Sequence, residues 1–169
     1  NDITARLFAQ KMSEGLGQQF VIDNRSGAGG SIGAQIAADA APDGYTLLHA
    51  NPGPSVNNVV MRSKSPYRIE DFAPVFFIGY SPLIIVASPK FGPNNGRELL
   101  AYAKANPGKL TWASSGNGSS LHIGQALFAA ATGVNVVHVP YKGTAPALTD
   151  VIGGRIDVVY TTVVSGEAH

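Results

Sequence analysis

The sequence contains no cysteine, which excludes disulfide bonds, thiolate metal sites and a cysteine nucleophile. Charged residues make up only 14% of the 169 residues, the net charge is +1, and no basic run is present. Nucleic acids and anionic membrane surfaces select clustered lysine and arginine, so we expect neither as a partner. No apolar run reaches the roughly 18 residues of a spanning helix, so we expect no membrane insertion.

What the sequence does contain is a regular alternation of strand-like and helix-like segments. Near-continuous β-branched runs such as "VNVVHVPY" favour buried parallel strands, and their alternation with helices is typical of an α/β fold. The pattern predicts strands at 20–23, 45–50, 110–114, 134–139 and 156–161, and helices at 3–16, 31–41, 97–106, 119–132 and 145–152.

The first helix has an apolar face and defined ends. Asn1 or Asp2 is a suitable N-cap and Gly17 a suitable stop. The apolar face is formed by Ile3, Leu7, Phe8, Met12 and Leu16. Because no strand precedes this helix, the pattern suggests that an N-terminal piece is missing.

The composition changes near residues 76–93, where two apolar runs flank Gly79 and Pro82. The length allows one core or two small lobes. We therefore predict a first lobe at 1–78, crossing or hinge segments at 79–90 and a second lobe at 91–169.

Residues 29–33 spell G-x-S-x-G, the motif of a serine-hydrolase nucleophile elbow. That elbow places its serine directly at the end of a strand. Here six or seven residues separate the predicted strand end at Asp23 or Asn24 from Ser31, so the loop is too long. Asp150 and His169 could complete a triad, but among 11 acidic residues and 4 histidines some such pair always exists.

The same region is also a near-miss of the dinucleotide-binding fingerprint. That fingerprint requires glycine where Ile32 stands. Asp43 could act as the ribose-binding acid, but it lies in a Pro-Asp-Gly turn whose own chemistry explains it. The nucleotide hypothesis is therefore weaker than the hydrolase hypothesis.

A glycine-serine loop occurs twice, as "SGAGGS" at 26–31 and "SGNGSS" at 115–120. Each follows a predicted strand and opens a predicted helix, one in each predicted lobe. The N–H groups and positive dipole end of a helix N-terminus suit an anion, and serine hydroxyls add donors. Two such loops predict a ligand clamped between the lobes. The alternative is that both are simple capped strand-helix turns.

A third loop, "VPYKGTAPAL", is placed in the same way. Lys142 could face an anionic ligand or be a solvated turn residue, Thr144 can cap the following helix, and Tyr141 is either a ligand wall or core. The histidines are scattered and form no metal motif. His122 is expected to make a structural hydrogen bond, and His138 to be a satisfied core residue.

The sequence contains, in this order, the runs "DNRSGAGGSIGAQIAADAAPDGYTLL", "DFAPV", "AKANPGKLTWASSGNGSSLH" and "VHVPYKGTAPALTDVIGGRIDVV". Together these runs closely resemble the substrate-binding proteins of tripartite tricarboxylate transporters, the Bordetella uptake gene (Bug) family. The resemblance covers essentially the whole chain. It implies a type II periplasmic binding fold, in which two α/β lobes with mainly parallel sheets close on a small carboxylate. It also implies export to the periplasm and delivery to a membrane permease.

The resemblance also implies ligand-binding positions. One pincer loop of the family matches 114–120, and a further cleft loop matches "PYKGTAP". Of the other ligand-binding pincer loop of the family, only the flanking residues Asn1 and Asp2 are present. Thr161 occupies the position where the family often has an aspartate. The implied set is Ser114, Ser115, Gly116, Asn117, Gly118, Ser119, Ser120, Tyr141, Lys142, Gly143, Thr144, Asn1, Asp2 and Thr161.

Relatives carry an opening strand and a closing third that this sequence lacks, so it resembles an internal fragment and the fold is expected to be incomplete. The leading hypothesis is a non-enzymatic solute-binding protein without cofactor or metal. Two alternatives stay open: a serine hydrolase that uses Ser31, and a sensor or docking module of the same fold.

Overall fold

The computed structural model describes residues 2–61 and 63–163. Asn1, expected to bind ligand, and His169, considered as a triad member, lie outside the described residues. We divide the described chain into an N-terminal unit, residues 2–82, and a sheet unit, residues 83–163.

The N-terminal unit is helical, with long irregular connections. Gly17, which follows the first helix, has a φ of 64°, as expected for a C-terminal stop. The helical elements are α1 (Asp2–Leu16), a 3₁₀ turn (Ala28–Gly30), α2 (Ser31–Ala38), a π-helical turn (Gly53–Asn57), α3 (Asn58–Met61) and a second 3₁₀ turn (Ile69–Asp71).

The two strands predicted for this unit, at 20–23 and 45–50, are not formed, and those predictions were wrong. A strand needs a ladder partner, and no segment of the described chain pairs with either one. Several of their apolar side chains face solvent, with Val21 79% and Tyr45 92% exposed.

Helix α1 is fixed to these irregular segments by a few contacts. Thr4 Oγ1 lies 3.1 Å from His49 Nε2, and the Phe8 and Phe76 rings are 5.9 Å apart. The helix buries Ala5 and Ala9, whereas much of the predicted apolar face, including Ile3, Leu7 and Leu16, is exposed.

The sheet unit contains a four-stranded sheet in the order β1-β4-β2-β3. Strand β2 is parallel to both β3 and β4, and β1 runs antiparallel to β4. The elements are β1 (Leu83–Ala87), α4 (Gly96–Ala105), β2 (Thr111–Ser114), α5 (Ser120–Thr132), β3 (Val137–Pro140), α6 (Thr144–Ile152) and β4 (Val158–Thr162). The sheet is mostly parallel, as predicted.

Each face of the sheet is covered by helices. On one face, α4 and α5 pack over Trp112, Leu110 and Val158. On the other face, α6 packs over Ala113 and Val159. Trp112 is fully buried and contacts the Phe128 and Tyr160 rings.

The helix ends in this unit follow the expected capping chemistry with one exception. Ser119 caps α5 by accepting a hydrogen bond from the His122 amide, and Gly133 ends it with a φ of 69°. Thr144 was expected to cap α6, but it is the first helical residue, and Gly143 occupies the cap with a φ of 125°. None of the helices in the described ranges has the length and apolar character needed to cross a bilayer.

Candidate functional site

The three parallel strands of the sheet unit end at one edge of the sheet. From β2, the chain passes through α5 to β3 on one side, and then through α6 to β4 on the other side of β2. The direction of winding therefore changes between β2 and β4. In open α/β sheets, ligands bind outside the carboxyl ends of the strands at such a switch point. Both predicted binding loops follow these strand ends.

The glycine loop, residues 114–119, is held by hydrogen bonds around Ser114. This residue is fully buried at the end of β2, and its Oγ accepts from the Gly116 amide over 3.1 Å. Positive φ values of 121° at Gly116 and 77° at Gly118 turn the chain into α5. Such angles favour glycine, which explains why glycine occupies both positions.

Two histidines lie directly beneath this loop. His138 Nε2 is 2.6 Å from Ser114 Oγ, and the Gly118 amide donates to His122 Nδ1 over 3.2 Å. The two imidazoles stack with centroids 4.1 Å apart and planes 10° apart. Burial, together with the neighbouring His122, lowers the pKa of His138 to about 4. The structural hydrogen bond predicted for His122 is confirmed. His138 is hydrogen-bonded as predicted, but it is half-buried and not part of the core.

The serines at the start of α5 differ in their hydrogen bonding. Ser119 Oγ is used by the helix cap. Ser120 Oγ is buried and has no hydrogen-bond partner in the described structure. Earlier in the glycine loop, Ser115 is half-buried and Asn117 is exposed. Among the described residues of this loop, Ser120 therefore supplies the one predicted hydroxyl that is both buried and without a hydrogen-bond partner.

The second binding loop, residues 141–144, lies beside the first. The Tyr141 amide donates to the Ser114 carbonyl over 2.9 Å. The Tyr141 hydroxyl donates to Asp150 over 2.7 Å, and burial and that carboxylate raise the pKa of Tyr141 to about 12. The hydroxyl is thus committed to α6. Lys142 is exposed, and Gly143 and Thr144 are half-buried at the start of α6.

The two remaining predicted residues lie in different surroundings. Thr161 is fully buried in β4, and its Oγ1 has no hydrogen-bond partner among the described atoms. The Asp2 carboxylate accepts from Asn24 Nδ2 over 2.6 Å and from Arg6 Nε over 3.0 Å. These two bonds lower the pKa of Asp2. Asp2 is therefore held within the N-terminal unit, whereas Thr161 lies near the carboxyl end of β4.

The N-terminal glycine turn packs directly on the glycine loop. A Cβ added to Gly29 would collide with the Asn117 carbonyl, and one added to Gly116 would lie 3.2 Å from the Gly29 amide nitrogen. The expected cleft between the loops is therefore closed at this point. The physical reason is that neither backbone carries a side chain there, which allows direct contact.

Sequence reasoning missed Asn58, which lies at this contact. Asn58 is 3% exposed, its Nδ2 donates to the Gly29 carbonyl over 3.3 Å, and its side chain touches Gly118. The surrounding segment reads as an irregular loop, so its sequence carries no signal for this contact.

The G-x-S-x-G serine has none of the features of a nucleophile elbow. Ser31 is 3% exposed at the start of α2, where a 3₁₀ turn precedes it instead of a strand. The Tyr67 hydroxyl lies 3.5 Å from Ser31 Oγ and donates to the Pro54 carbonyl over 2.6 Å. The motif therefore packs α2 against the irregular segment that follows it.

Comparison with known sequences gives a family for the chain. The family model described as "Tripartite tricarboxylate transporter family receptor" matches residues 4–169. The UPF0065 protein in the tcbD-tcbE intergenic region of Pseudomonas sp. strain P51 is 41% identical over 165 residues. That match covers 97% of this chain and 49% of the relative. The chain thus spans about half the length of the curated relatives it matches.

Solved structures give the same result. Rpa4515 of R. palustris with adipate has a TM-score of 0.91 and 37% identity, covering 96% of this chain and 55% of that one. MatC of Rhodopseudomonas palustris with bound malate has a TM-score of 0.89 and 33% identity, covering 98% and 56%. The periplasmic binding protein BugD has a TM-score of 0.84 and 37% identity, covering 94% and 53%. The mixed α/β fold is therefore that of periplasmic binding proteins, here present in part, and the resemblance to Bug proteins is confirmed.

Proposed function

Because the chain belongs to the tripartite tricarboxylate transporter receptor family, we propose that it forms part of a periplasmic solute-binding protein. This protein captures a small carboxylate at the carboxyl edge of the sheet unit and delivers it to the membrane permease of such a transporter. The structural relatives bound to adipate and to malate support this class of ligand.

The observation that carries the proposal is the unpaired hydroxyl of Ser120 at the edge of the sheet. A hydroxyl buried without a partner costs about 1–3 kcal/mol. A carboxylate oxygen is an acceptor, so a ligand there would supply the missing hydrogen bond. The unpaired Thr161 Oγ1 in β4, on the other side of the switch point, supports the same position.

The charge of the surrounding segment favours an anion. From Leu110 to Thr149 the sequence contains no aspartate or glutamate, and Lys142 is its one lysine or arginine. These residues form β2, α5, β3, most of α6 and both binding loops. A carboxylate would therefore meet no like charge from them, and the N-terminal ends of α5 and α6 add favourable dipoles.

We further propose that the chain contributes to two lobes, 1–78 and 91–169, joined by crossing segments at 79–90 that include β1. The contact between Gly29 and Gly116 leaves no space for a ligand at that point. A ligand that reaches the glycine loop therefore requires the lobes to separate and then to close again. This role is binding without catalysis, which the buried position of Ser31 supports.

Isothermal titration calorimetry with malate, adipate and uncharged 1,4-butanediol tests the proposal. We expect heat of binding with at least one of the two carboxylates and none with the diol. Ser120→Ala should weaken carboxylate binding by about tenfold, because it removes one hydrogen bond to a charged group. The matched control is Ser81→Ala, at an exposed serine of the crossing segment, which should leave the affinity unchanged. Absence of carboxylate binding in the unaltered protein would overturn the proposal.

A further inference from the structure

We propose that His122 and His138 are positioning residues for the glycine loop, and that the loop binds a carboxylate only while both imidazoles are neutral. This inference rests on the proposed function, since it concerns the conformation of the same loop. It predicts a loss of carboxylate affinity at acid pH.

Each imidazole ring contacts one end of the glycine loop. His138 contacts Ser114 Oγ at the end of β2 over 2.6 Å. His122 Nδ1 accepts a hydrogen bond from the Gly118 amide over 3.2 Å, and Gly118 directly precedes Ser119, the N-cap of α5. Between these points, Ser114 Oγ also accepts from the Gly116 amide. The stacked rings thus determine where the backbone of the loop and the N-terminus of α5 lie.

Protonation is incompatible with this arrangement. His122 Nδ1 accepts a hydrogen bond from the Gly118 backbone N–H. A proton on Nδ1 would place two N–H donors against each other, which would break this hydrogen bond. Two imidazolium rings stacked at 4.1 Å would also repel each other. Either event releases Gly118, which directly precedes Ser119 and Ser120.

The elements packed around the rings offer no charge that would stabilise an imidazolium. Strands β2 and β3, the glycine loop and α5 contain no Asp, Glu, Lys or Arg. Asn58 approaches the loop as a neutral amide. Strand β4 presents Tyr160, whose pKa is raised by burial, so it stays neutral. The charged residues of α4, which packs on the same sheet face, are exposed: Arg97, Glu98 and Lys104.

The lowered pKa of His138, about 4, is consistent with this environment. Burial is its main cause, and the neighbouring His122 adds to it. The ring is therefore neutral at ordinary pH, and the fold resists its protonation.

The experiment measures malate and adipate affinity at about pH 7.5 and at about pH 4, where His138 becomes protonated in the folded protein. The double variant His122→Asn, His138→Gln keeps uncharged polar groups where the two hydrogen-bonding nitrogens lie. Since protonation of the ligand affects both proteins alike, we expect the unaltered protein to lose about twofold more affinity than the double variant at the lower pH. His122→Phe keeps a ring in the stack without the acceptor, and should lose about tenfold at the higher pH.

His49→Gln is the matched control, because His49 lies in the N-terminal unit against Thr4. It should keep the full pH dependence of the unaltered protein. Nitrogen-15 NMR of the ligand-free protein should show that Nδ1 of His122 is unprotonated at about pH 7.5. A protonated Nδ1, or an equal loss of affinity at acid pH in the double variant, would overturn the inference. Failure of both acids to bind at either pH would instead overturn the proposed function.

Discussion

Gly29 and Gly116 bring the backbones of the two units into direct contact, such that a Cβ on Gly116 would lie 3.2 Å from the Gly29 amide nitrogen. Both residues have positive φ, 65° at Gly29 and 121° at Gly116. A second close approach lies beside them, where a Cβ on Gly53 would be 3.4 Å from Ser119 Cα. The glycines of both loops therefore allow the units to pack on each other, in addition to shaping two helix N-termini.

We predict that Gly116→Ala lowers the free energy of unfolding by about 1–3 kcal/mol, because it adds both backbone strain and a contact with Gly29. Urea denaturation followed by Trp112 fluorescence measures the effect.

Two other glycines serve as controls for this substitution. Gly133 has a φ of 69° but nothing within 4 Å of an added Cβ, and Gly92 has open space and no positive φ. Gly133→Ala should therefore show the cost of the backbone angle alone, about 1 kcal/mol. Gly92→Ala should change stability by less than about 0.5 kcal/mol. If Gly116→Ala cost no more than Gly133→Ala, the contact with Gly29 would have no energetic role.

Asn58 gives a second test of the same contact. Its amide donates to the Gly29 carbonyl from a buried position, so Asn58→Ala leaves that carbonyl without this donor. We expect a loss of about 1–3 kcal/mol in the free energy of unfolding, and faster hydrogen exchange in residues 116–119. The adjacent, half-buried Asn57 provides the control, and Asn57→Ala should leave exchange in that loop unchanged. Unaltered exchange in the Asn58 variant would contradict the role given to this side chain.

Most of the sheet unit could be predicted from sequence because its elements are specified locally. Strand β1 was not predicted, since residues 83–87 were assigned to the crossing segments. The apolar run before Ser114 and the Ser119 and Gly133 caps place β2 and α5 within a residue or so of the structure. Strand β3 was predicted from Val134 but begins at Val137, because its ladder with β2 starts at Thr111. The residue at which a strand begins therefore depends on its partner strand.

The N-terminal unit was predicted less well for the same reason. The segments around Val21 and Tyr45 have strand-like sequences, but strands form only with a partner, which the described chain does not provide. At the site, the proximity of Ser114 and His138 follows from the pairing of Trp112 with His138 across β2 and β3. A separation of 24 residues along the chain gives no direct indication of that contact.

The lowered pKa of His138 predicts that stability depends on pH in the acid range. The unfolded chain binds a proton near the ordinary value of about 6.5, whereas the folded chain does so only near 4. Because the unfolded state binds more protons between these values, the free energy of unfolding should fall as pH decreases from about 6.5 to about 4. Urea midpoints across this range measure the slope. His138→Gln should flatten it, and an unchanged slope would show that other groups cause the decline.

The hydrogen bond from Tyr141 to Asp150 predicts effects at both ends of the pH range. This bond, with Arg155 as a second partner, lowers the pKa of Asp150, so Tyr141→Phe should raise that pKa, as measured by carboxyl NMR. Burial and the same carboxylate raise the pKa of Tyr141 to about 12. The stability that the neutral phenol contributes is complete below its ordinary pKa of about 10 and is lost as pH rises through about 12. Tyr141→Phe should remove this alkaline decline, whereas Tyr45→Phe, at an exposed tyrosine, should preserve it. A carboxyl pKa that does not move in the Tyr141 variant would mean that Arg155 alone holds Asp150 ionised.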